Sequence, residues 1–288
     1  MTVKAITRTL GKVASRVEEM APGRWRFGLD GDSAPEVEAR LTDDWLLLEA
    51  VPGDGADREK PWELLRRNAE LPGLAKFVLT PAASAVRLRA EIPLDGPVRT
   101  ARRLERACAA FRGETRGALP AEQEVGIVAL ADLCEEAGWP FFERGENRGA
   151  VTLEAGGGFH QAHLQLAGSG LHARVGLAEP PDQLAGWRPA LAVLLLTGAA
   201  ITRLVRPVSG DGEDASEAGF EVRFEERPSA GELSWALAAL SVACRLYARE
   251  AQALAEPEIA AAYLALRGPE RYRTTSRRQT AAGAKKGG

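Results

Sequence analysis

The order helix, three strands, helix, two strands, helix can be read twice along this chain, and no other feature narrows its fold as much. In the first half Val3, Ile6, Leu10, Val13 and Val17 recur at helical spacing, which predicts a helix reaching about Met20. Trp25, Phe27 and Leu29 mark a first strand, and Asp30-Gly31-Asp32 turns the chain. In the second strand Val37, Ala39 and Leu41 alternate with Glu36, Glu38 and Arg40. Thr42-Asp43-Asp44 predicts a hairpin into a third strand from Trp45 to Val51. Pro61 opens a helix with Trp62, Leu65 and Ala69 on one face, and Pro72-Gly73 ends it. Phe77 to Leu79 and Val86 to Ile92 predict two more strands, and Val98 to Phe111 a last helix.

The second half repeats this. A helix from Glu122 to Ala137 carries Ile127, Leu130, Ala131 and Cys134 on one face, with Gly138 as its C-cap. Strands follow at Val151 to Ala155, Phe159 to Leu166 and Leu171 to Leu177, with a helix from Trp187 to Leu196 closed by Gly198. Ile201 to Val205 and Phe220 to Phe224 predict the last strands, with the acidic loop Ser209 to Gly219 between them. A long helix from Gly231 to Leu254 ends the pattern. Glu105 to Phe111 and Ser241 to Tyr247 align locally around Cys108 and Cys244. The period, about 125 residues, is too long for a solenoid. The expected fold is therefore α+β: two tandem domains, each an antiparallel sheet packed with helices in the order α-β-β-β-α-β-β-α. Domain 1 spans 1–112, domain 2 spans 121–268, and Arg112 to Pro120 link them. With 288 residues, 45% of them hydrophobic, each domain can bury a core without a disulfide or metal staple.

This order resembles the type III secretion chaperone-like fold, which includes class I secretion chaperones and the YbjN-like family. Glu135-Glu136-Ala137-Gly138-Trp139-Pro140 is similar to the helix exit of YbjN-like proteins. Leu64 to Ala69, with Leu71-Pro72-Gly73 and Phe77-Val78-Leu79, is similar to the central helix and fourth strand. The resemblance covers most of residues 3–255 and rests on packing residues. It implies a non-catalytic, cytoplasmic module that holds an extended segment of a partner protein. The alternative within the resemblance is a structural or regulatory protein of YbjN-like type that binds a folded partner. A small-molecule enzyme or sensor is the third reading, and a deep polar pocket would favour it. Members are usually single-domain homodimers, so two linked domains imply a monomer acting as an internal pseudo-dimer.

Charge agrees with a protein partner. The 37 basic and 40 acidic residues give −3. Residues 269–288 hold six basic residues and one acid, a +5 tail, which leaves −8 on residues 1–268. Nucleic acid is not an expected partner, and the tail, with almost nothing to bury, is expected to be disordered. The most apolar stretch, Pro189 to Ile201, is bounded by Arg188 and Arg203 and is too short to span a membrane. An N-terminal face with Lys4, Arg8 and Lys12 fits a transit peptide or a first helix, and the repeat favours the helix. Cys108, Cys134 and Cys244 are dispersed thiols on apolar helix faces, which fits buried hydrophobes in a reducing compartment.

Chemistry is sparse. His160 and His163 fall on a strand, where a spacing of three puts them on opposite faces, and His172 is nearby, so no metal site is expected. Asp30-Gly31-Asp32 and Asp211-Gly212-Glu213-Asp214 lack calcium-loop spacing. Gly156-Gly157-Gly158 precedes a strand and lacks a phosphate-loop lysine, and G-x-S-x-G is absent. No catalytic residue, cofactor or metal is expected. Of six tryptophans, Trp25, Trp45, Trp62, Trp139, Trp187 and Trp235, most should anchor cores. Trp139, Phe141 and Phe142 crowd one helix exit, Trp25 and Phe27 sit at the matching place, and these five are the expected partner-binding residues.

Overall fold

A computed structural model describes residues 3–30, 34–53, 60–80, 85–115, 130–145, 147–167, 170–182, 184–210 and 218–269. The first half contains α1 (Val3–Val13), β1 (Arg16–Ala21), β2 (Arg24–Gly28), β3 (Glu36–Thr42) and β4 (Trp45–Ala50). Then come α2 (Pro61–Glu70), β5 (Ala75–Leu79), β6 (Val86–Pro93) and α3 (Pro97–Phe111). The second half contains α4 (Leu130–Glu136), β7 (Phe141–Gly145), β8 (Arg148–Ala155), β9 (Gly158–Ala167) and β10 (Gly170–Gly176). It continues with α5 (Leu184–Ile201), β11 (Arg206–Ser209), β12 (Ala218–Phe224), α6 (Ala230–Ala253) and α7 (Pro257–Arg267). The fold is α+β, with two antiparallel six-stranded sheets among the described residues, ordered β1-β2-β3-β4-β6-β5 and β7-β8-β9-β10-β12-β11. The two orders are the same.

Each half has one strand more than expected, so the order is α-β-β-β-β-α-β-β-α, and α7 is a further helix. The first helix stops at Val13. Val17, expected on its apolar face, instead pairs with Phe27 across β1 and β2. Pro22-Gly23 makes the turn, Gly23 at φ +75°, where a side chain would be strained. In the second half the missed strand is β7, paired with β8 from Phe141↔Val151. The helix expected to close at Gly198 runs to Ile201. Gly198 lies inside it because a Cβ there would stand 2.9 Å from the Tyr247 ring, so the glycine serves close packing. Ile201 to Val205 is correspondingly not a strand. The tail from 270, residues 116–120 of the linker, 122–129 of the expected helix and the acidic loop at 211–217 lie outside the described residues.

Alternation builds each core. In β3 the buried Val37 and Ala39 face inward, and Glu36, Glu38 and Arg40 face out. In domain 1 α3 packs on β5 and β6, and α1 packs on α3 and β1. In domain 2 α6 packs on β8, β9, β10 and β12. Ser229 and Glu232 close a capping box at the start of α6. α5 differs from the other helices: Ala190 to Leu196 are all buried, with exposures of 2% or less. A helix apolar all round must be enclosed, and the two domains together enclose it. α5 packs on α2, β5, β11 and α7, while α2 packs on β11, β5 and α5. Each central helix thus packs against the edge strand of the other domain.

Candidate functional site

The interdomain contact is built from the starts of the two edge strands. β5 and β11 hold equivalent places, because Lys76 pairs with Arg89 on β6 and Arg206 pairs with Glu221 on β12. Lys76 and Arg206 are equivalent cations, both buried. Lys76 Nζ donates to Thr202 O at 3.2 Å and Val205 O at 3.0 Å, just past the end of α5, and to Glu91 Oε2 at 2.8 Å. Three donors meet three acceptors. Burial lowers the Lys76 pKa below its usual value, against the upward pull of Glu91. Arg206 mirrors this, donating to Asn68 O, Leu71 O and Gly73 O at the end of α2. Each cation therefore meets carbonyls at or just past the end of the opposite domain's helix, on the side where the helix dipole favours positive charge. Asn68 bridges the strands: Phe77 N donates to its Oδ1 at 2.6 Å, and its Nδ2 donates to Pro207 O at 2.9 Å. These contacts exclude two unconnected beads on a string.

Beyond the central helices, each sheet keeps an open polar face, and each face forms a cleft against the far domain. The first cleft, about 580 Å³, runs over β2, β3, β4 and β6 to Ala200, Ile201 and Arg203. The second, about 520 Å³, runs from Arg144 on β7 across β8, β9, β10 and β12 to Ala69 at the end of α2. Register relates them. Hairpins Thr42↔Trp45 and Ala167↔Gly170 place Glu38, Glu49 and Glu91 at the positions of His163, Arg174 and Arg223. The first cleft is mixed in sign: Arg89 Nη2 meets Glu49 at 2.6 Å, and Arg26 meets Glu38 at 3.4 Å. The second holds Arg144, Arg148, Arg174, Arg223, His163 and His172 against one carboxylate, Glu221. Arg223 Nε stands 2.9 Å from Glu221. Burial pushes the Glu221 carboxyl up, but Arg223, Arg206, His172 and Arg174 outweigh it and hold its pKa below the usual range. His163 and His172 share this open face and His160 lies on the other, as their spacing predicted.

The expected partner-binding residues divide. Trp25 and Phe27 are each 1% exposed, and Trp25 Nε1 donates to Thr7 Oγ1 at 3.0 Å. They are core residues, because the unforeseen β1 covers the edge beyond them. Phe142 stands 55% exposed on β7. Phe141 and Trp139 are half-buried, and the Phe141 ring lies over Gly149, where a Cβ would meet it at 2.1 Å. Trp139 packs toward α6, its Nε1 3.4 Å from Ser234 Oγ. Trp187 joins the core, and Trp235 is 52% exposed. The sequence reading missed both clefts. The available signal was His172 and Arg174 at alternate positions of β10, with Arg148 on β8 and His163 on β9, legible only once the strands were paired. Among the described residues no cluster of ligating side chains could hold a metal ion, and no helix is long and apolar enough to cross a membrane. No family model, curated protein or solved structure matches the chain.

Proposed function

We propose that this is a non-catalytic interaction protein of the cytoplasm, a tandem of secretion-chaperone-like domains that holds an extended segment of a partner protein along β7. One observation carries the reading. Among the described residues β7 pairs with β8 alone, and from Phe142 to Gly145 it is exposed. A segment added there gains main-chain hydrogen bonds along the edge, and Phe142 offers it an apolar contact. The equivalent edge, β1, is also one-sided; both edges carry charges, Arg16, Glu18 and Glu19 on β1 and Glu143 and Arg144 on β7, but only β7 adds an exposed aromatic side chain, Phe142. The internal pseudo-dimer agrees with the family architecture, in which two such domains associate.

A second reading rests on α6. Trp235, Val242 and Leu246, seven and four residues apart, are 52%, 37% and 51% exposed and form an apolar stripe that fits a folded partner. Affinity capture from the native cell with the full chain, Phe142→Asp and Trp235→Asp separates the two, followed by hydrogen exchange on the captured complex. Loss of the partner with Phe142→Asp, together with new protection of β7 amides, is the expected result. Capture unchanged by Phe142→Asp and abolished by Trp235→Asp would transfer the function to α6.

A further inference from the structure

We propose that the cleft on the open face of the second sheet is a binding site for a compact multivalent oxyanion, a small molecule bearing two or more phosphate or carboxylate groups. The proposal does not rest on partner binding at β7. It starts from charge placement. The body of residues 1–268 carries −8, yet this cleft gathers four arginines and two histidines against Glu221 alone. Glu221 is already opposed by Arg223 at 2.9 Å. Arg144 and Arg148 are exposed and make no ion pair among the described residues.

The duplication supplies an internal comparison. At the positions of His163, Arg174 and Arg223 the first domain has Glu38, Glu49 and Glu91. The first cleft is mixed: five arginines line it with Glu38, Glu49 and Glu91, and Arg89 pairs with Glu49 and Arg26 with Glu38. Three carboxylates among five arginines in the first cleft become one among four arginines and two histidines in the second, so the same place in the fold is poorer in carboxylate in the second domain.

The residue types narrow the ligand. Every permanent cation in the cleft is arginine, whose planar fork matches carboxylate and phosphate oxygens two at a time. Of the apolar lining, Leu164 and Val208 are buried, each 1% exposed, and the half-buried Ala69 is a single methyl, so the cleft offers no large exposed apolar anchor of the kind that dominates protein interfaces. No Phe, Tyr or Trp lines it for a base to stack on. A space of about 520 Å³ fits a small molecule.

Titration calorimetry of the full chain with tripolyphosphate and with citrate tests this at about 50 and 200 mM salt. Saturable one-to-one binding of at least one probe is expected, weaker at the higher salt. Tighter tripolyphosphate assigns phosphate as the recognised group, and tighter citrate assigns carboxylate. Arg148→Gln and Arg174→Glu should each weaken binding about tenfold or more, while Arg40→Gln in the first cleft leaves it unchanged. Arg148 is exposed and makes no ion pair among the described residues, so its variant tests the site even if Arg174→Glu unfolds. The proposal is overturned if neither probe binds, or if Arg40→Gln weakens binding as much as Arg148→Gln. It is equally overturned if a polyglutamate peptide or oligothymidylate binds more tightly than both probes.

Discussion

Replacing Lys76 by methionine removes one charge at the centre of the interdomain contact and keeps most of the side chain's volume. Lys76 is 1% exposed and its ammonium meets Glu91, Thr202 O and Val205 O at 2.8, 3.2 and 3.0 Å. The variant leaves Glu91, itself 4% exposed, with the Leu204 N–H at 2.8 Å as its remaining donor. It also strips a charged donor from two carbonyls at the end of α5. Breaking a buried pair from one side loses about 3–5 kcal/mol, because the surviving charge stays out of water. With a urea slope of about 3 kcal/mol/M, the midpoint falls by about 1–1.7 M. Trp25 and Trp187, buried in different domains, report on the two halves by fluorescence. Because Lys76 acts across the interface, the halves are expected to separate into two transitions. Lys76→Met/Glu91→Leu should recover part of the loss, since a buried pair replaced by apolar groups is nearly neutral. Arg66→Ala, which removes an exposed pair with Glu63 at 3.1 Å, should cost about 0.5 kcal/mol or less. A midpoint within about 0.3 M of the parent for Lys76→Met would refute the view that this contact joins the domains.

Glu232 joins α6 to Arg99 and Arg103 on α3. Burial pushes its carboxyl up, but the Ser229 N–H and then Arg103 and Asp95 outweigh that and hold it at about 2. A depressed carboxyl stabilises the fold above its unfolded pKa of about 4.3, so about 2–3 kcal/mol is lost as pH falls from there toward 2. Glu232→Gln should flatten that acid limb in urea melts taken at successive pH values. Burial pushes the thiols of Cys108 and Cys244 up to about 12 and that of Cys134 to about 11. All three should resist Ellman's reagent at pH 8 in the native protein and react at once in urea. Gly149→Ala drives a methyl into the Phe141 ring at 2.1 Å, so it should loosen β7 and raise hydrogen exchange there while β8 to β10 stay protected. Light scattering should give the monomer mass of 30.8 kDa at all dilutions, and a stable species of twice that mass would overturn the internal pseudo-dimer.

Legibility followed the range of the interactions. The hairpins at Thr42 and Gly170 and the α3 and α6 faces around Cys108 and Cys244 are set by residues within a few positions of one another, and periodicity exposed them. β1 was hidden because Val17 extends the helical spacing of Ile6, Leu10 and Val13. What overrides that spacing is pairing with Phe27, ten residues on, although Pro22-Gly23 marked the turn. β7 is short, five residues, and its aromatic pair follows the helix exit at Trp139 so closely that it shows no strand alternation of its own. Gly198 imitated a helix cap because nothing local shows that Tyr247, from another helix, needs the space. The clefts were least visible. Arg148, His163 and Arg174 sit on three different strands, and only the register brings them onto one face. The same holds for Lys76, a lone lysine in an apolar strand until Thr202 and Val205 stand opposite it.

Linking the two halves changes what each is free to become. In a homodimer with a two-fold axis every residue appears twice at the interface, so any substitution must suit both copies at once. In this chain the equivalent positions are filled independently. Lys76 and Arg206 kept one role, a cation meeting carbonyls just past the end of the opposite helix. One strand away the constraint lapses. Glu91 accepts from Lys76 and Leu204 N, whereas its counterpart Arg223 donates to Ala69 O, so opposite charges satisfy the same place in the fold. Arg89 and Glu221 differ in sign in the same way, as do Glu49 and Arg174. The contact that joins the domains is thus the part held alike in both, and the open faces beyond it are the part that diverged. That division leaves one sheet face with three carboxylates among its arginines and the other with one.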